Sequence, residues 1–165
     1  MNLVLKKRGL LWWGETPLPC CWGRGGIREV KKEGDGATPI GVFPFRRVFY
    51  REDRLQCPKT CLPLSPITPQ DGWCDDVGDP AYNQHIQKPY KGRHENLWRQ
   101  DHLYDIVLVV GHNDDPVVKG EGSGIFVHLR RLEGIPTAGC VALDKDDLLK
   151  ILKDATLKSC FIVEK

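Results

Sequence analysis

Apolar positions recur along the 165-residue chain in two rhythms. Leu3 and Leu5 fall on alternate positions. Val42 to Tyr50, Asp105 to Val110, Gly124 to Leu129 and Cys160 to Val163 are dense in branched and aromatic side chains, which suit a pleated, half-buried backbone. These stretches predict strands. A helical rhythm appears at Leu148, Ile151 and Leu152, with Asp144 at the N-cap position and Asp146 and Asp147 where a helix dipole favours negative charge. Leu97, Trp98 and Tyr104 lie on a rougher helical period and predict a second helix within His94 to Tyr104. Between these elements, Cys57 to Tyr90 is punctuated by Pro58, Pro63, Pro66, Pro69, Pro80 and Pro89 and shows little periodicity. It predicts a long ordered loop covering one side of the sheet. The pattern therefore predicts a mainly β fold, a sandwich or barrel-like sheet with short helices. No repeat or linker divides the chain, so residues 1–165 are expected to form a single domain.

Composition narrows the function. The longest clean aliphatic run, Ile106 to Val110, is five residues, far below the ~18 to 20 that cross a bilayer, so no membrane insertion is expected. With 24 Lys+Arg against 22 Asp+Glu, the charge balance gives no reason to expect nucleic acid as a partner. Lys6, Lys7 and Arg8 are followed only by the short apolar stretch Gly9 to Trp13, less than a secretory signal requires. A cytoplasmic location is expected, and a periplasmic one if an export signal lies outside this sequence. Seven cysteines form no even framework, so free thiols are expected, with adjacent Cys20 and Cys21 as partly buried thiols in a strand. A monomer is expected.

The candidate chemistry lies in Gly124-Ile-Phe-Val-His128 and Thr137-Ala-Gly-Cys140-Val-Ala-Leu143, a strand ending at a histidine and then Gly-Cys ahead of a helix. An imidazole neighbour and a loop-to-helix position would lower a cysteine pKa from about 8.5 towards neutrality. Gly139 permits a tight turn that could leave its own amide and that of Cys140 free to meet an oxyanion. On spacing alone, a core thiol with an incidental imidazole is the commoner arrangement. Other groups have plainer readings. His112, beside Asp114 and Asp115, reads first as a turn residue and second as an active-site histidine. His94 with Glu95, and Asp101 with Asp105, read as salt-bridged loop residues. Trp73, Tyr82 and Trp98 read as anchors of the Pro-rich segment, or as rings that stack on substrate. Cys57, Cys61, Cys74 and His85 could be offered as a zinc set, but they lack the paired knuckles structural zinc favours. Gly36 to Gly41 lacks the Lys-Ser/Thr of a phosphate loop, so neither a metal nor a cofactor is implied.

Thr137-Ala138-Gly139-Cys140-Val141 resembles the Ser/Thr-His-Gly-Cys-hydrophobic signature of the YkuD-type L,D-transpeptidase catalytic domain. Glu33-Gly-Asp-Gly-Ala-Thr38-Pro39-Ile-Gly41-Val-Phe43 resembles that family's Gly-x-x-x-Thr-Pro-x-Gly-x-Phe segment, in the family's order. Gly72-Trp73-Cys74-Asp75-Asp76 and Leu97-Trp98-Arg99-x-Asp101 fit a small single-domain branch. The resemblance implies a mainly β fold acting on peptidoglycan stem peptides or muropeptides. It implies Cys140 as the nucleophile and His128 as the general base, its ring oriented by a backbone carbonyl. Thr137, His112, Trp73, Trp98 and Arg99 become candidate substrate contacts. Two departures matter: Ala138 stands where the motif has histidine, and Ala142 where many members carry Arg or Asn. The expected reaction is that of an L,D-carboxypeptidase trimming D-alanine from a tetrapeptide, with L,D-transpeptidation as the alternative.

Overall fold

The computed structural model describes residues 1–6, 9–132 and 134–165; Lys7 and Arg8 of the basic N-terminal run, and Glu133, lie outside them. The strands are β1 (Leu3–Lys6), β2 (Leu10–Trp13), β3 (Thr16–Leu18), β4 (Cys20–Cys21), β5 (Ile27–Arg28), β6 (Thr38–Pro39), β7 (Gly41–Tyr50), β8 (Leu64–Pro66), β9 (Asp71–Cys74), β10 (His85–Gln87), β11 (His94–Asn96), β12 (Ile106–Val110), β13 (Phe126–Leu129), β14 (Val141–Leu143) and β15 (Cys160–Val163). The helix α1 (Lys145–Asp154) lies between the last two strands.

One sheet dominates, in the order β3-β2-β1-β15-β7-β12-β13-β14-β4, with β8 also paired to β7. Its two edge strands, β3 and β4, are separated in the chain by Pro19 alone, so the sheet curls into a nearly closed, barrel-like form. This is the mainly β architecture that the hydrophobic pattern predicts. Period-two alternation fills the interior. The parallel register of β1 and β15 sets Leu3 beside Phe161 and Leu5 beside Val163, and all four are buried in the main core. Leu148, Ile151 and Leu152 of α1 join the same core, as their helical spacing predicts.

The opposite face of β7, β12 and β13 is covered by the Pro-rich segment, as expected, but that segment is not structureless. It contains β8, and it contributes β9 and β10 to a small sheet in the order β10-β9-β11. The helix expected within His94 to Tyr104 is absent. His94, Glu95 and Asn96 pair with Cys74, Trp73 and Gly72, while the carbonyls of Arg99, Gln100 and Asp101 accept from the guanidinium groups of Arg51 and Arg54. Arginine side chains satisfy the backbone that a helix would otherwise satisfy internally. Asp144 does occupy the N-cap position, yet it makes no side-chain cap. Its carboxylate is forked on Arg130 at 2.7 and 2.8 Å. All seven cysteines are free, and Cys20 and Cys21 lie in β4 as expected.

Candidate active site

Strand β13 divides the two functions of the sheet between its faces. Val127 and Leu129 point into the main core. Phe126 and His128, two residues apart, share the other face. On that face Phe49, Trp73, Leu97, Tyr104, Val107, Val109, Phe126 and Cys140 form a second cluster. The parallel register pairs Val127 with Val141 and His128 with Ala142, which brings Cys140, just before β14, alongside Phe126. The Phe126 N–H reaches the Cys140 sulfur at 3.3 Å. Cys140 and His128 are 8% and 5% exposed, and both line a cavity of about 650 Å³.

Two hydroxyls shape the turn ahead of the sulfur. Thr137 Oγ1 donates to the Cys140 carbonyl at 2.6 Å and accepts from the Gly139 N–H at 3.1 Å. Thr38 Oγ1 donates to the Gly139 carbonyl at 2.9 Å and accepts from the Gly23 N–H at 2.9 Å. The Thr-Pro segment and the Gly-Cys segment, distant in sequence, are therefore joined by one buried hydroxyl. Gly139 has φ +136°, and a β-carbon there would stand 2.9 Å from the Ala37 carbonyl oxygen, so no other residue fits without strain.

The profile of the YkuD family, the L,D-transpeptidase catalytic domain, matches residues 2–163. This chain belongs to that family. The family is one of cysteine-dependent acyltransferases and peptidases that act on peptidoglycan peptides. Among solved structures, an L,D-transpeptidase from Mycobacterium smegmatis aligns with a TM-score of 0.48 and 13% identity, covering 99% of this chain and 58% of that one. The chain thus spans a little over half the length of that protein. Comparison with curated proteins finds no match.

In this member of the L,D-transpeptidase family the resting site is uncharged at its two central groups. His128 Nδ1 lies 2.8 Å from the Leu129 carbonyl oxygen. A carbonyl can only accept, so Nδ1 carries the proton and Nε2 the lone pair. Burial pushes the imidazole down to about 4, against the opposing pull of the Leu129 carbonyl. The expected low-pKa thiolate is not found: burial first, and the field of Glu95 second, push the Cys140 thiol up to about 12. The reason is positional. Strand β14 separates Cys140 from α1, so no helix N-terminus faces the sulfur, and the thiol donates to the Gly124 carbonyl at 3.3 Å. No hydrogen bond joins His128 to Cys140 among the described residues.

The other expected site residues divide. The Gly139 amide is not free for an oxyanion, because Thr137 Oγ1 accepts from it. Thr137 borders the cavity, but its hydroxyl is committed to the turn rather than to substrate. Arg99 lines the cavity, forked on Asp101 at 2.8 and 2.7 Å. His112 does not reach it. Its Nε2 meets the Glu121 carbonyl at 3.0 Å, its ring lies edge-on to Phe43, and it borders a separate cavity of about 220 Å³. Trp73 and Trp98 are anchors outside the main cavity. Trp73 Nε1 donates to Asn83 Oδ1 at 3.0 Å and its ring meets Phe126 edge-on, while the Arg51 guanidinium lies 3.4 Å from the Trp98 ring centre. The zinc set is dispersed: His85 binds Asp71, and the Cys61 thiol donates to the Ala155 carbonyl.

Glu95 has a larger place than a surface salt bridge. It lines the cavity and accepts from the Tyr104 hydroxyl at 2.5 Å, with burial holding its carboxyl above the usual range. The Tyr104 ring in turn meets His128 edge-on, centroids 5.1 Å apart. The available sequence signal was weak: Glu95 sits two residues before Leu97, in phase with a fully buried side chain.

Proposed function

We propose that the protein is a cysteine-dependent L,D-carboxypeptidase that releases the terminal D-alanine of a peptidoglycan tetrapeptide. The observation that carries this reading is the placement of a lone-pair-bearing imidazole on β13 and a thiol just before the neighbouring β14, beside one cavity. Because Cys140 rests as a thiol, its proton passes to His128 Nε2 as the sulfur attacks the carbonyl of the third residue. The Cys140 amide meets the developing oxyanion. Collapse expels the amine of D-alanine, which takes the proton back from His128 and leaves a thioester on Cys140. Water then attacks the thioester, His128 accepts a proton from it, and the tripeptide leaves as the thiol is restored.

Two features favour water over a second stem peptide as the acceptor. The cavity has the size of a small-ligand site, about 300 to 1,000 Å³, and Ala138 and Ala142 project no polar side chain along it. In this reading the enzyme trims soluble wall fragments in the cytosol. Incubation with a soluble tetrapeptide, with and without an added D-amino acid or second stem peptide, followed by mass analysis, tests it. Tripeptide plus free D-alanine is expected. Predominant exchange or dimer formation would establish the transpeptidase instead.

A further inference from the structure

Five basic side chains line the cavity that holds Cys140: Arg24, Lys31, Arg99, Arg130 and Arg131. Three are committed to carboxylates, Lys31 to Asp35 at 2.5 Å, Arg99 to Asp101 and Arg130 to Asp144. Arg131 forms no ion pair with a described residue and acts on Asp101 only through its field. Arg24 forms no ion pair with any described residue.

Its position is nonetheless fixed from both sides. The Arg24 N–H donates to the Thr137 carbonyl at 2.9 Å, three residues ahead of the sulfur, and the preceding Gly23 N–H is held by the Thr38 hydroxyl that also grips Gly139. The side chain rests on Gly36. A β-carbon on Gly36 would stand 3.1 Å from Arg24 Cγ and 3.2 Å from Nε, and Gly36 has φ +66°. Gly36 thus offers the arginine stem bare backbone to rest on. Its head borders the cavity unpaired with any described carboxylate, although Glu33, Asp75 and Glu95 also line that cavity, and Ala138 and Ala142 supply no polar contact there.

We propose that Arg24 is a specificity residue whose guanidinium binds the free C-terminal carboxylate of the peptide that acylates Cys140. The inference rests on the carboxypeptidase reading, in which a single residue ending in a carboxylate follows the scissile bond. A planar guanidinium fits a carboxylate through two parallel hydrogen bonds, geometry that an ammonium does not reproduce. Arg24 would therefore distinguish a peptide cut one residue from its end from one that continues or is amidated.

The test compares a tetrapeptide ending in a free carboxylate with the same peptide ending in a carboxamide. For the wild-type protein the expected preference in kcat/KM for the acid is on the order of 100-fold, the scale of a charge-assisted bidentate contact. In Arg24→Met, which keeps the stem on Gly36, the preference should fall below about 5-fold, with Arg24→Lys intermediate. Calorimetric binding of both peptides to Cys140→Ala, alone and combined with Arg24→Met, gives the same comparison without turnover. Equal losses on both peptides, or an undiminished preference for the acid, would overturn the role of Arg24. Acid-selective binding without any tripeptide product would uphold Arg24 and sink the carboxypeptidase reading.

Discussion

Thr38→Val tests whether the hydroxyl shared by the two motifs holds the site together. Thr38 is fully buried, and valine copies its shape while deleting both hydrogen bonds, to the Gly139 carbonyl and from the Gly23 N–H. Each bond contributes about 1 kcal/mol net, and stranding a buried partner adds roughly 1 to 3 kcal/mol. Partial relaxation of the turn leaves an expected loss of about 3 kcal/mol. For a domain of this size that lowers Tm by roughly 6 to 12 °C. Chemical denaturation should report the same loss as a lower midpoint at unchanged slope. Thr38→Ser keeps the hydroxyl and gives up one methyl, so it should cost only about 1 kcal/mol. On activity, the freed Gly139 carbonyl loosens the turn that carries Cys140, so kcat should fall more than KM rises. A Thr38→Val protein within about 0.5 kcal/mol of wild type, or a serine variant as damaged as the valine one, would refute this linkage.

Cys140→Ala should abolish turnover, and His128→Ala should lower kcat by at least about 100-fold, both read by release of D-alanine. In the free protein, Cys140 should alkylate more slowly at pH 7.5 than the exposed Cys57 and Cys61, which peptide mapping after a short iodoacetamide pulse would show. His128 is held near 4 against about 6.5 when unfolded, so the unfolded chain binds the proton first as pH falls. The stability is present above pH 6.5 and is lost towards pH 4, by roughly 3 kcal/mol. A His128→Gln variant should show a flatter denaturation profile over that range. Gly139→Ala should cost at least about 2 kcal/mol and most of the activity, since both its φ and the Ala37 carbonyl oppose a β-carbon.

Strands β7, β12, β13 and β15 are legible because branched and aromatic residues crowd them, and in β12, buried throughout, sheet period sends alternate side chains to the two clusters. Helix α1 is legible for the same reason at helical period. The small sheet is not. Its outer strands, His85–Gln87 and His94–Asn96, are three residues each and largely polar, too short for any period to register. Leu97 and Tyr104 then mimic a helical spacing because both are buried, though from turns rather than from one helical face. At the site, Cys140 and His128 stand out by type and motif, but their charge states do not. A loop before a helix suggests a lowered thiol pKa, and only the three-dimensional burial against Tyr104, Phe126 and Glu95 reverses the sign. Thr38 reads as part of a turn because a two-residue strand carries no pattern, and its bond to Gly139 spans 101 positions.

The pairing of β1 with β15 bears on how the protein is made. Leu3, Val4 and Leu5 lie in parallel register with Phe161, Ile162 and Val163, in the middle of the sheet rather than at its edge. A nascent chain therefore exposes the unpaired side of the β1–β2 hairpin until β15 leaves the ribosome. Closing that pair across all the elements between β1 and β15 makes folding a late, non-local event, with a slow rate expected from the entropy of so long a loop. Until then the waiting strand edge is open to pairing with other chains, and growing chains depend on speed of release or on chaperones to avoid it.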